Sequence, residues 1–273
     1  MAKRLPKTGE RLIPSAVNSR DDLLQYLRHV FAYDLGARTL AGAARVLDFG
    51  CGEGYGTRLL ADHVGDIVGV DVEESVIAHA SAEYGRVNCR FQRYDGERLP
   101  FDAGAFDAVV SFQVIEHIWH DRQYVAEAAR VLKPGGRFLV TTPNAANRLK
   151  PGSKPWNRFH VREYVAGQLK EVLAASFADV KVAGITAGPE VHVLEMARIR
   201  QSLKIVTLDP LNLRRFIPES LKPWATRVAR RLMPRKQKSD AGEDWKTRYS
   251  LADYSVTTDD VANSLDLLAV CVR

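Results

Sequence analysis

Val46-Leu47-Asp48-Phe49-Gly50-Cys51-Gly52-Glu53-Gly54-Tyr55-Gly56 runs from an apolar strand pattern, through a glycine-rich turn, into a helical pattern. Arg45–Phe49 reads as a short buried strand, and Tyr55, Leu59, Leu60 and Val64 fall on one face of a helix. Glycine allows a sharp turn and a close approach of backbone to ligand. The spacing is not the dinucleotide fingerprint G-x-G-x-x-G, because Tyr55 stands where the third glycine should be. The glycines alternate instead, at 50, 52, 54 and 56. Asp48 and Glu53 flank the loop, and no Lys or Arg lies between Arg45 and Arg58. Two carboxylates beside a diphosphate repel it, so the loop suits a ligand that carries positive charge.

Outward from this stretch, strand and helix patterns alternate through about residue 185. Leu23, Leu24, Leu27, Val30 and Phe31 form a helical stripe behind a cap near Asn18–Ser19. Further strands are expected at Asp66–Val70, Asn88–Arg93, Phe106–Phe112, Arg137–Thr142 and Val180–Ile185, with a closing strand in Leu265–Val272. Helical periodicity lies between them at Val76–Tyr84, Tyr124–Leu132 and Val161–Leu173. Alternation with short connections predicts an α/β fold: a Rossmann-like, doubly wound, mostly parallel seven-stranded sheet whose last strand is antiparallel. The expected organisation is an N-terminal arm and helix (1–44), a core (45–200), a basic helical insertion (201–262) and the closing strand (263–273). Open parallel sheets bind ligands at the carboxyl ends of their strands. Asp71 ends the second strand, where an acid can accept from both ribose hydroxyls, and Asp95 follows the third, where it can accept from an adenine amino group.

S-adenosylmethionine (SAM) has an ammonium group and a sulfonium, and lacks phosphate. The ordered segments Val46–Gly54, Gly69-Val70-Asp71, Asp95–Phe101, Phe106–Ser111 and Val131–Gly136 resemble the motifs of class I SAM-dependent methyltransferases of the methyltransferase domain 11 type. The resemblance covers about 45–185, and Leu265–Val272 is similar to that family's closing strand. It implies SAM as cofactor and S-adenosyl-L-homocysteine as product. It also implies that Gly50 and Gly52 back the methionine part, Asp71 the ribose, and Asp95 and Gly96 the adenine, that Phe112 and Gln113 lie near the reactive methyl, and that Asp48, Cys51 and Val72 belong to the cofactor site as well. More loosely, Thr8–Pro14 and Phe159–Tyr164 resemble a bacterial subset associated with glycan and lipid-linked sugar pathways.

Methyl transfer to a hydroxyl needs a proton acceptor, and histidine is the natural one near neutral pH. His117 lies just beyond the fourth strand and His160 beyond the fifth; these are the catalytic candidates. His120 reads as an exposed residue near a helix start. The Gln113…Glu116–His117 spacing is similar to a Glu-x-x-Glu-His metal site of some ubiquinone-pathway O-methyltransferases, but only Glu116 and His117 match. An amide at 113 is a weak ligand for a hard cation, so no metal is expected.

The chain has 273 residues, 46% hydrophobic and 26% charged, an ordinary globular balance. No apolar run approaches ~20 residues, and the basic N-terminal stretch has no signal-like apolar segment. Cys51, Cys89 and Cys271 show neither disulfide-scaffold nor metal spacing, which points to a cytoplasmic setting. The net charge of +6 is local: residues 214–238 hold nine basic side chains and one acidic, leaving the remainder at −2. Leu221, Trp224, Ala225, Val228 and Leu232 form one apolar face there. Packing of that face on the sheet is the simpler expectation, and peripheral contact with an anionic membrane at its inner face is the alternative. No nucleic-acid module accompanies the charge. The expected activity is O-methylation of a small molecule, a sugar or a lipid-linked intermediate. An NAD-dependent oxidoreductase, disfavoured by Tyr55 and the acidic loop, and a non-catalytic SAM-fold protein attached to a membrane are the rival readings.

Overall fold

The computed structural model describes residues 14–149, 153–157, 159–207 and 244–273. The elements in chain order are α1 (Arg20–Thr39), β1 (Arg45–Phe49), α2 (Tyr55–Leu60), β2 (Asp66–Asp71), α3 (Glu74–Tyr84), β3 (Cys89–Arg93), β4 (Phe106–Phe112), α4 (Asp121–Val131) and β5 (Leu132–Pro143). They continue with α5 (Ala145–Arg148), α6 (Ala166–Ala174), β6 (Asp179–Ala187), α7 (Pro189–Thr207), β7 (Tyr254–Thr257) and β8 (Asp266–Val272). Ser19 starts α1 by accepting a hydrogen bond from the Asp22 backbone N–H, and Asp21 and Asp22 place negative charge at the helix's positive end.

One sheet carries all eight strands in the order β3-β2-β1-β4-β5-β8-β6-β7. The first five strands in that order are mutually parallel; β8 inserts antiparallel between β5 and β6, and β7 pairs antiparallel with β6. The expected doubly wound sheet with an antiparallel closing strand is what forms. It has one strand more than expected: Tyr254–Thr257, assigned from sequence to the insertion, pairs with Gly184–Ala187 and extends the sheet. Four residues of which the first, Tyr254, is buried and the next two are exposed carry too little periodicity to announce a strand.

Both faces of the sheet are covered. Leu47, Phe49, Val109 and Phe138 pack on one face with Tyr124, Val125 and Ala128 of α4 and Leu169 and Leu173 of α6. Val46, Ala108, Val110 and Leu139 pack on the other with Leu24, Phe31 and Tyr33 of α1, Leu60 of α2 and Val191 of α7. That explains the continuous apolar runs of β1 and β4, which have no solvent face. Strand order reverses between β1 and β4, so a crevice forms at the carboxyl ends of these two strands. All three cysteines are buried free thiols, and no described helix is long and apolar enough to cross a membrane.

Gly56 lets α1 pack on α2: a Cβ there would lie 2.1 Å from the Tyr33 ring. Gly56→Ala is therefore expected to destabilise the fold by about 1–3 kcal/mol through overpacking, read as a lower midpoint in urea or thermal unfolding.

Candidate active site

The glycine loop closes the crevice from the β1 side. Gly50 and Cys51 both donate backbone hydrogen bonds to the Val70 carbonyl at 2.9 Å, folding the loop back over β2. Gly50 and Gly52 have left-handed backbone, with φ of +92° and +52°. Their reasons differ. A Cβ on Gly50 would lie 2.6 Å from Val114, whereas one on Gly52 would meet nothing within 4 Å. The Gly52 side of the loop is thus open to a ligand, at a backbone geometry an L side chain resists.

Asp71 ties the loop to the next helix. Its Oδ2 accepts from the Gly52 N–H at 3.2 Å and its Oδ1 from the Glu73 N–H at 3.0 Å. Half-buried at the end of β2, it is oriented by backbone on both sides. Val72, 48% exposed, lies beside Gly96, whose added Cβ would sit 3.4 Å from Val72 Cγ1. The two make an apolar shelf next to Asp71. Asp95 caps its own turn: Oδ1 accepts from the Glu97 and Arg98 N–H groups at 2.8 and 2.9 Å, and these donors hold the carboxyl below its ordinary range.

Two expectations are corrected here. Asp48 is fully buried beneath the loop, its Oδ2 taken by the Thr57 hydroxyl at 2.6 Å and the Tyr33 hydroxyl at 3.2 Å. It does not face a ligand directly, because its strand position turns it toward α1 and α2. The Cys51 side chain is buried as well, against Gly69, so only its backbone belongs to the loop surface. Glu53, the second acid of the loop, is buried on His79 Nε2 at 3.2 Å. The negative charge therefore sits behind the loop and acts through it.

Burial pushes Asp48 up to about 7, against the pull of the Thr57 and Tyr33 hydroxyls. A cationic ligand favours the ionised carboxylate, so below pH 7 binding must first expel a proton. We expect the affinity for SAM to rise several-fold between pH 6 and pH 8 and then level off, since the limit is tenfold per pH unit. S-adenosylhomocysteine, without the sulfonium, should show a smaller rise, and Asp48→Asn should flatten both profiles in calorimetric titrations.

Sequence reading missed the wall that α1 builds. Tyr26, His29 and Tyr33 recur at helical spacing on one face, and that polar-aromatic stripe was the available signal. His29 Nδ1 hydrogen-bonds the Tyr55 hydroxyl, and burial drives its imidazole down to about 4, so it is neutral. Tyr33 stacks edge-on against Phe112, with ring centroids 4.9 Å apart. Phe112 is buried under this wall, and Gln113, next in the chain, is the one non-glycine among the described residues with left-handed backbone, at φ +59°. Such strained positions cluster at functional sites.

Beyond Gln113 the chain makes a tight turn, Ile115–His117, and here both catalytic candidates meet. The Glu116 carbonyl accepts from the Val161 and Arg162 N–H groups at 2.8 and 3.3 Å, which fastens the segment after β5 onto the turn after β4. His117 and His160 consequently lie ring to ring, centroids 4.9 Å apart and planes at 88°. His117 Nδ1 bonds the Phe159 carbonyl at 3.1 Å. His160 Nδ1 bonds Glu163 Oε1 at 2.7 Å, and Arg148 clamps the same carboxylate at 2.9 and 3.1 Å while stacking on Trp156. Glu116, 1% exposed, accepts from the Thr142 hydroxyl at 3.0 Å. Burial lowers His117 to about 4 and raises Glu116 to about 8. His120 stands exposed at the start of α4, as expected.

A buried ionic group, not foreseen from sequence, ties α1 to α7 and β8: Arg28 Nε lies 3.0 Å from Asp266 and Arg28 Nη1 3.6 Å from Glu195, which Arg198 also bonds at 2.7 Å. The stretch Thr8–Ile13 and the basic segment 214–238 lie outside the described residues.

Residues 47–140 match the family model described as a methyltransferase domain. The chain is 42% identical over 177 residues to a protein of Mycolicibacterium smegmatis named probable S-adenosylmethionine-dependent methyltransferase, covering 65% of this chain and 66% of that one. It is 37% identical over 194 residues to one of Mycobacterium tuberculosis with the same description, covering 70% of this chain and 68% of the relative. The chain thus spans about two thirds of the length of these relatives. A solved SAM-dependent methyltransferase of Thermotoga maritima shares the fold, with a TM-score of 0.55 at 13% identity over 96% of this chain and 97% of that one. An open glycine turn, an oriented acid at the next strand end and an apolar shelf beside it fit a sulfonium nucleoside. With these relatives, they place the chain in the class I SAM-dependent methyltransferase family.

Proposed function

We propose that this methyltransferase modifies an oxygen of a hydroxylated small molecule, a sugar or a lipid-linked intermediate. When bound, SAM supplies an electrophilic methyl on a sulfonium, ready for in-line displacement. The chain supplies alignment. Backbone at Gly50, Cys51 and Gly52 receives the methionine part, and Asp71 accepts from the ribose hydroxyls. Val72 and Gly96 flank the adenine, with Asp95 at its amino edge. Phe112 and Gln113 direct the methyl toward the turn that carries His117.

The observation that carries the choice of oxygen is the meeting of His117 and His160 one turn beyond Gln113, with His160 oriented by Glu163. A neutral amine or a thioether attacks through its lone pair without a base, whereas a hydroxyl is a weak nucleophile until its proton is removed. A buried imidazole whose second nitrogen is fixed by a carboxylate is suited to deal with that proton. The acceptor comes from the cytoplasm or from a membrane surface engaged through 214–238, and nucleic acid is not among the substrates proposed.

The test is transfer of radiolabelled methyl from SAM into a fractionated cell lysate, followed by alkaline hydrolysis and identification of the labelled linkage. Label in an alkali-stable ether on a sugar or alcohol supports the reading. Label confined to protein, nucleic acid or amines refutes it.

A further inference from the structure

We propose that Glu116, His117 and His160 hold a divalent transition-metal cation, with zinc the best match to the donor set. Each residue offers one ligand atom, and the three atoms lie within 4.8 Å of one another. Ligands around tetrahedral zinc are separated by on the order of 3.3 Å, given bonds of about 2.0–2.1 Å, so small side-chain rotations close the set. Two imidazoles and one carboxylate, with a further position for water or substrate, are a recurrent arrangement for zinc and for other first-row divalent cations.

What distinguishes this cluster from a histidine pair is the layer behind it. A metal-binding imidazole ordinarily donates its second nitrogen to a carboxylate or a carbonyl, which fixes the ring and leaves the lone pair on the ligating side. His160 Nδ1 is on Glu163, and His117 Nδ1 is on the Phe159 carbonyl. The carboxylate is oriented too, by the Thr142 hydroxyl. A single catalytic base needs one such partner, and here all three groups have one. The charges agree. Arg148 is committed to Glu163, and among the described residues no Lys or Arg pairs with the buried Glu116. A cation at the cluster gives that carboxylate a partner.

The three ligands come from two segments 43 residues apart in the chain, joined because the Glu116 carbonyl holds the backbone of Val161 and Arg162. The local spacing supplies only Glu116 and His117, with an amide at 113, so sequence reading expected no metal; His160 joins them from a separate segment. The cation site stands whatever the acceptor is; only its use rests on the proposed oxygen chemistry. In that use an acceptor hydroxyl takes the open position and its proton passes to water. The new O–C bond forms as the C–S⁺ bond breaks, leaving a neutral thioether.

The test uses the full chain after dialysis against a chelator, with Zn(II) added in calorimetric titration and Co(II) as an absorbance probe. One equivalent per chain and visible d–d bands of tetrahedral Co(II) are expected. His160→Gln and Glu116→Gln should each weaken Zn(II) by 100-fold or more. Glu163→Gln should weaken it by 10–100-fold, and His120→Ala should leave it unchanged. Circular dichroism checks that each variant is folded. Absence of saturable binding by the folded wild-type chain overturns the proposal, as does equal affinity in folded His160→Gln. The readout is metal binding alone, so it is independent of whether lysate label appears on oxygen.

Discussion

Asp71→Ala is expected to reduce SAM affinity by 10²–10⁴-fold, with a far smaller effect on unfolding. The carboxylate at the end of β2 is held by two backbone donors, the Gly52 and Glu73 N–H groups. Each carboxyl oxygen retains lone-pair capacity toward the crevice, where both ribose hydroxyls can donate. Hydrogen bonds to a charged acceptor contribute about 1.5–3 kcal/mol each, so two of them set the range. A further loss follows because the Gly52 N–H, freed of Asp71, no longer fixes the loop that should receive the methionine part. Asp71→Asn separates these contributions. One amide oxygen can replace one acceptor but not both, so an intermediate loss of 10–10²-fold is expected. Isothermal titration with SAM and S-adenosylhomocysteine measures the effect. A loss below fivefold for the alanine variant, in folded protein, would remove Asp71 from the ribose site.

The parts of this protein that were legible in the sequence are those in which one residue type has one physical reason. Strands β1, β2 and β4 are buried on both faces and read as continuous apolar runs. The glycine loop is legible because left-handed backbone at Gly50, Gly52 and Gly54 has few alternatives to glycine. Asp71 is legible by its place at a strand end. Direction was not legible. Asp48 and Asp71 both look like ligand-facing acids in one dimension, but strand pleating sends Asp48 under the loop to Thr57 and Tyr33. Contacts between distant segments were also hidden. His29 of α1 reaches Tyr55 and Phe112, and Arg28 of the same helix reaches Asp266 across most of the chain. The proximity of His117 and His160 depends on backbone hydrogen bonds at Glu116, which no side-chain pattern encodes. Strand β7 was missed because edge strands are short and half-exposed, and so lose the alternation that marks central ones.

His160→Ala is expected to lower turnover by 10²–10⁴-fold while leaving SAM affinity within twofold and costing only about 1 kcal/mol of stability. The separation follows from what surrounds the ring. His160 shares Glu163 with Arg148, and the Arg148–Glu163 pair makes two hydrogen bonds of its own, at 2.9 and 3.1 Å. Removing the imidazole therefore leaves no buried charge unpaired. Glu163→Ala differs: it strips the partner from Arg148, 5% exposed, and should cost about 3–5 kcal/mol as well as activity. Glu163 is a positioning residue, so Glu163→Gln, whose amide oxygen can still accept from His160 Nδ1, should recover part of the stability and part of the turnover. The assay is label transfer to the acceptor fraction, with kcat and KM measured separately. A change confined to the acceptor's KM would make His160 a binding residue only. Turnover equal to wild type would remove it from the chemistry whether it works as a base or through a bound cation. Either route requires the lone pair that Glu163 fixes toward the crevice by holding the opposite nitrogen.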